Sequence, residues 1–190
     1  MRAYLNFHTH TPAREDEATL PSVGLHPWHL TEDWPAQLAL LETRLQDNDL
    51  IGECGLDRLC STPYPLQLAA FEAHIRLSEQ CRRPLVLHCV RALDDALRLH
   101  RGTTQPWIWH GFRGKPQQLQ QLLNHGFHIS FGFRFNPDSL RACPADRLFL
   151  ETDDDPRPIA HLYATLAALR GTTPEALNQQ CWENERTMNG

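Results

Sequence analysis

His8 and His10 stand two residues apart in the opening stretch MRAYLNFHTH. On a β-strand, positions i and i+2 point to the same side, so the two imidazoles could hold one divalent ion from a strand end. Alone, this pair is a weak signal. Four more metal-competent side chains follow, each where a short apolar run stops: Glu53 after Leu50-Ile51-Gly52, His88 after residues 84–87, His110 after Trp107-Ile108-Trp109, and Asp153 just past Leu148–Leu150. Strand ends are often polar, which explains one or two such residues. It explains poorly why five strand ends offer His, Glu, His, His and Asp and never Lys, Ser or Gln.

Six ligands exceed the needs of one tetrahedral ion and suit two. The expected allocation places His8, His10 and Asp153 on one ion and His88 and His110 on the other, with Glu53 bridging. Some two-ion barrel hydrolases use a carbamylated lysine as the bridge. Lys115 is the only lysine in this chain, and it lies in the turn Gly114-Lys115-Pro116, away from any strand end. The bridge therefore falls to Glu53. Mixed imidazole and carboxylate ligands suit Zn, Mn or Fe better than a pure Mg site. The cofactor expected is thus a pair of divalent ions drawn from Zn, Mn, Fe or Mg, with Glu53 and Asp153 as catalytic groups and Asp153 able to relay a proton.

Such ligands converge only if the strands run parallel and end on one face. The apolar runs predict strands at residues 3–7, 22–25, 50–52, 84–87, 106–109, 127–131 and 148–150. Helical periodicity predicts helices at 34–47, 66–80, 92–101, 115–125 and 159–170 and from about 174, the last opened by Thr172-Thr173-Pro174-Glu175. Strands alternating with helices imply parallel pairing through crossovers. About seven strands suggest an α/β TIM-like (β/α) barrel, in which functional groups collect at the C-terminal strand ends. A doubly wound sheet would carry a glycine-rich loop after its first strand, where this chain reads HTHTPARED. Residues 11–21 are polar, hold two prolines and show no apolar period. They are short for a parallel crossover, so the barrel is expected to be shortened or distorted near the N-terminus.

A length of 190 residues with 41% hydrophobic and 22% charged residues predicts a single hydrolase domain over residues 1–190. No repeat or low-complexity tract interrupts it. The net charge of −5 argues against a passive DNA-coating protein. It leaves a nuclease open, because bound metal ions reverse the local sign. The N-terminus lacks an apolar signal region and no run reaches spanning length, so a soluble, cytoplasmic protein without a membrane partner is expected. The six scattered cysteines form no C-x-x-C pair and read as free thiols, mostly buried.

At this point the chain resembles the TatD family of metal-dependent hydrolases and deoxyribonucleases. The matching stretches are HTH (8–10), VGLHPW (23–28), IGECGLD (51–57), RPLVLH (83–88), WHGFRG (109–114) and DRLFLETD (146–153). The resemblance implies a barrel, nuclease chemistry on a DNA substrate and a two-metal site on the same six residues. It also implies a role near the substrate for His26. Three features depart from the family pattern. Some tens of residues are missing between H-x-H and GLHP. Cys89 and Val90 separate His88 from Arg91, where members often show H-x-R. Asp154 and Asp155 precede Pro156, and these extra acids could repel a phosphate or support a ligand.

Arg58, Arg91, Arg113 and Arg134 fall just after strand ends, where a guanidinium fork could bind phosphate; solvated loop arginines are the plainer reading. Trp28 could stack on a base, with rim or core packing the alternative. His74, His100, His125 and His161 lie on predicted helices and read as surface residues. Asp57 and Glu151 read as groups that support ligands or pack. The leading function is a DNA phosphodiesterase acting from a 3′ end. The alternatives are an amidohydrolase of a small cyclic amide or ester and a non-catalytic metal-bound interaction protein.

Overall fold

The computed structural model describes residues 3–8, 14–46 and 49–189; His10 lies outside the described residues. In chain order the elements are β1 (Tyr4–Asn6), β2 (Glu17–Thr19), β3 (Ser22–Val23), α1 (Trp34–Glu42), β4 (Leu50–Asp57), α2 (Tyr64–Cys81), β5 (Leu85–Val90), α3 (Leu93–His100), β6 (Trp107–Trp109), α4 (Pro116–Asn124), β7 (His128–Phe131), α5 (Pro137–Ala142), β8 (Leu148–Leu150), α6 (Ile159–Arg170) and α7 (Pro174–Asn189). The chain divides into two compact units, Pro21–Trp109 and the combination of Met1–Leu20 with His110–Gly190. Among the described residues no helix is long and apolar enough to cross a membrane. All six cysteines are free thiols; Cys54, Cys143 and Cys181 are buried and the other three half-buried.

In the unit Pro21–Trp109, β3 pairs with β4, β4 with β5 and β5 with β6, all parallel. Each connection carries a helix, as parallel pairing requires. Leu50, Ile51, Cys54, Leu56, Leu85, Val86, Leu87, Trp107 and Ile108 are all buried. Such continuous apolar runs belong to strands covered on both faces. Helix α2 buries Gln67, Ala70, Phe71, His74, Leu77 and Ser78, spacings that form one face of a helix.

Strand β4 is irregular where the chemistry lies. Ile51 is registered with Leu85 and Cys54 with Leu87, so three steps on β4 match two on β5. The extra residue is a β-bulge, a device that re-aims side chains, and Gly52-Glu53 occupy it. The sequence pattern ends two strands at 52 and 87, with Glu53 and His88 just beyond; in the structure β4 continues to Asp57 and β5 to Val90, so both residues sit inside strands.

Gly55 shows how closely these strands approach. Its φ is +142°, and a Cβ there would lie 2.0 Å from the carbonyl oxygen of His88. Gly55→Ala is therefore expected to lower unfolding free energy by about 3 kcal/mol or more, combining a glycine-only conformation with a backbone clash. Urea unfolding checks this, and a loss under ~1 kcal/mol would contradict the close approach.

In the other unit, β1 pairs in parallel with β2 from Tyr4↔Glu17 to Asn6↔Thr19, and β7 pairs in parallel with β8. The sequence pattern shows no strand at β2, because Glu17-Ala18-Thr19 offers one apolar residue and is only partly buried. There are thus eight strands among the described residues where about seven are expected. Beyond β1, Phe7 N–H donates to Leu150 O at 2.8 Å and Asp153 N–H to His8 O at 3.0 Å. The Asn6 side chain clasps Thr152, donating to its Oγ1 at 2.9 Å and accepting its N–H at 3.0 Å. Glu17 accepts from Ile159 N at 3.1 Å, satisfying a free donor at the start of α6. Phe7, Phe127, Ile129, Phe131, Phe149, Leu162 and Tyr163 fill the core.

Candidate metal centre

In the unit Pro21–Trp109, His26, Glu53 and His88 each bring a donor atom within 4.8 Å of the others. His26 caps the short 3-10 turn Pro27–His29, its Nδ1 accepting Trp28 N–H at 3.2 Å. A ring nitrogen that accepts carries no proton, so in the neutral ring the proton sits on Nε2. That nitrogen lies 3.3 Å from Glu53 Oε1. His26 is therefore disposed as a donor, to Glu53 or to a substrate oxygen.

His88 lies between two carboxylates. Its Nδ1 is 2.9 Å from Glu53 Oε1 and its Nε2 is 3.3 Å from Asp57 Oδ2. Asp57 is held firmly: its Oδ2 accepts Trp28 Nε1–H at 2.6 Å and its Oδ1 accepts Leu59 N–H at 2.7 Å. Its main chain is gripped by the Gln67 amide, which accepts Asp57 N–H at 2.7 Å and donates to Asp57 O at 3.0 Å. Burial alone would raise the Asp57 carboxyl, but the donors from Trp28, Leu59 and His88 outweigh it and hold it below the ordinary range. A carboxylate on the far nitrogen of an imidazole fixes ring orientation and raises its basicity as a ligand.

His74, expected on the surface, is fully buried on the inner face of α2. Its Nδ1–H donates to Ala70 O at 2.8 Å, and Nε2 accepts Leu25 N–H at 2.9 Å. It thereby fixes the backbone immediately before His26. Burial pushes its pKa down to about 4 from 6.5. The folded state thus resists protonation that the unfolded chain accepts, so stability should be full above about 6.5 and fall as pH drops toward about 4. His74→Gln keeps an acceptor for Leu25 and a donor for Ala70 and is expected to flatten part of this acid limb. Urea unfolding across that window tests it; an unchanged pH slope would count against the assignment. Among the other helix histidines, His161 is exposed, while His100 and His125 are half-buried.

In the other unit, His8, His110 and Asp153 bring donor atoms within 4.8 Å of one another. The His8 and His110 rings stand 5.4 Å apart, edge to face. Glu151, fully buried, contacts His110 Nδ1 at 3.2 Å and accepts Gly111 N–H at 2.6 Å. Burial would raise the Glu151 carboxyl, but the imidazole against it more than offsets this and holds it low. Asp57 and Glu151 thus repeat one arrangement, each bracing a candidate ligand histidine. The structure sets His110 beside His8 and Asp153, where the sequence-based allocation paired it with His88.

The four arginines differ. Arg58 is engaged: it donates to Asp95 Oδ2 at 2.7 Å and lies 4.1 Å over the Tyr64 ring, whose hydroxyl donates to the same oxygen at 2.7 Å. Arg113 and Arg134 are exposed and line a small cavity of about 40 Å³ with Gly132, Glu151 and Asp153. Arg91 is exposed, with a left-handed φ of +53° just past β5. The extra acid Asp155 is paired with Arg157 at 2.6 and 2.8 Å, and this hydrogen bonding holds its carboxyl at about 2. Asp155 is thus not a bare negative charge beside the cavity.

Imidazoles and carboxylates in two groups, each with a buried carboxylate behind a histidine, fit divalent transition metals. This chemistry belongs to metal-dependent hydrolases. The model of the TatD related DNase family matches residues 6–189, and the chain belongs to that family. A 3′-5′ ssDNA/RNA exonuclease TatD of Erwinia billingiae is 32% identical, over 88% of this chain and 76% of the relative. A hydrolase TatD family protein of Entamoeba histolytica shares the fold with a TM-score of 0.75 at 18% identity, covering 91% of this chain and 75% of that one. A TatD homologue of Escherichia coli K12 gives 0.73 at 22% identity, covering 92% and 77%. The fold class is accordingly the α/β, TIM-like (β/α) one expected from the sequence, and the chain is a metal-dependent hydrolase of a deoxyribonuclease family.

Proposed function

We propose that this chain is a two-metal deoxyribonuclease that shortens single strands from the 3′ end. The observation that carries the reading is the repeated arrangement of candidate ligand histidine and buried carboxylate, His88 with Asp57 and His110 with Glu151. The name of the Erwinia billingiae relative supports the substrate and the polarity. The proposed ligands are His8, His10, Glu53, His88, His110 and Asp153, with Glu53 keeping the bridging role. When bound, divalent ions supply Lewis-acid stabilisation of the phosphoryl oxygens and lower the pKa of the attacking water.

The chain's own groups do the rest. His26 Nε2–H donates to a phosphate oxygen or steadies Glu53. Asp153 accepts the proton of the attacking water. Arg113 and Arg134 grip the strand by its backbone, which gives affinity without sequence reading. Arg91 is kept as a further phosphate contact. Arg58 is kept too, in a role that requires it to exchange Asp95 for substrate.

The test is a 5′-labelled single-stranded DNA, beside RNA and a small cyclic amide, incubated with Mg or Mn. A ladder shortening from the 3′ end is expected. Protein purified without chelator should carry about two transition-metal ions per chain, read by elemental analysis. An intact strand under every metal together with hydrolysis of the amide would transfer the case to an amidohydrolase.

A further inference from the structure

Among the described residues the large apolar side chains left exposed are Trp28 at 54%, Leu40 at 52% and Leu59 at 61%. Isolated exposed apolar groups are ordinary. Trp28 is not ordinary in its fixation. Its single polar atom, Nε1, donates to the buried Asp57 carboxylate at 2.6 Å. Its ring meets His26 at 4.8 Å and 81° and His88 at 5.7 Å and 80°. The indole is thus anchored by its N–H and braced edge-on by two site histidines, while half its surface faces solvent. A packing residue would bury the ring; a ring that only donated to Asp57 would not need its apolar surface outside.

We propose that Trp28 is a stacking platform for a nucleobase of the bound strand, beside the phosphate that His26 contacts next to the candidate metal ligands Glu53 and His88. This rests on the nuclease reading above. Every base has a π-face, so stacking holds a strand without selecting its sequence. An aromatic group already fixed before binding loses little conformational freedom on contact. The neighbouring histidines put that surface within one nucleotide of the candidate metal ligands. Because the Asp57 carboxylate also braces His88, one side chain aligns both the base platform and a ligand.

The experiment compares a single-stranded oligodeoxynucleotide with the same strand carrying abasic residues at its last two positions, for the metal-loaded wild type and for Trp28→Ala and Trp28→Phe. In the wild type, removal of the bases should raise KM roughly tenfold with little change in kcat. Trp28→Ala should show that same rise on the normal strand and no further rise on the abasic one. Trp28→Phe, which stacks but lacks the N–H, should recover most of the affinity. Equal KM for both strands in the wild type would overturn the proposal while leaving the nuclease reading intact. So would a Trp28→Ala loss in kcat of equal size on both strands, which would mark a positioning role through Asp57. Cleavage of neither strand by the wild type would instead remove the nuclease reading, and the platform with it.

Discussion

Replacing Glu53 by glutamine is expected to reduce kcat by about three orders of magnitude or more, equivalent to ~4 kcal/mol of barrier, with the fold retained. Glu53 Oε1 lies within 3.3 Å of His26 Nε2 and 2.9 Å of His88 Nδ1, so its negative charge sits among ring nitrogens. The amide of glutamine matches the carboxylate in volume and keeps one acceptor oxygen. What it loses is the negative charge that the proposed bridge between two cations would require. The bulge at Gly52-Glu53 is formed by the backbone register, so its geometry should survive the change. Metal content should fall along with kcat, and circular dichroism should remain that of the wild type. Activity within about threefold of wild type, under ~1 kcal/mol, would rule out the proposed bridging role of Glu53.

The candidate ligands were legible in the sequence because parallel strands place their polar termini at regular intervals, and each ligand interrupts an apolar run. Position along the strand was less legible. Glu53 and His88 read as residues just past a strand, yet both lie within one, because strand length cannot be inferred from hydrophobicity where polar groups are themselves buried. The burial of His74 is hidden in the sequence for a related reason. The apolar spacing within residues 66–80 points to a face through Leu68, Phe71, Ile75 and Ser78, with Leu77 beside it, whereas the buried face runs through Gln67, Ala70, Phe71, His74, Leu77 and Ser78. Gln67 and His74 dilute the apolar signal on the side that is in fact inward. A histidine spaced i, i+3, i+7 with buried residues was the available clue. Strand β2 escaped because so short and polar a segment has no period to detect, and its pairing with β1 is set by the backbone. Place alone marks the arginines in the sequence, and place does not disclose that Asp95 and Tyr64 hold Arg58.

The second large effect is expected at Asp153, where the choice of substitution decides what is learned. Asp153 has a φ of +55°, a left-handed conformation that asparagine and aspartate tolerate better than most residues. Its backbone N–H donates to His8 O at 3.0 Å, tying the loop to a candidate ligand two residues beyond β1. Asp153→Asn preserves the conformation, the backbone hydrogen bond and one side-chain oxygen, and removes the charge and the proton acceptor. A fall in kcat of about 10²- to 10⁴-fold is expected, the range that a positioned general base supplies, with unfolding free energy within ~1 kcal/mol of wild type. Asp153→Ala should lose activity similarly but cost a further ~1 kcal/mol of stability, because alanine is strained at this φ. The pair separates chemistry from backbone. If the asparagine variant turned over at near wild-type rates while the alanine variant was both unstable and slow, Asp153 would be holding the His8 loop in place and another group would be taking the proton.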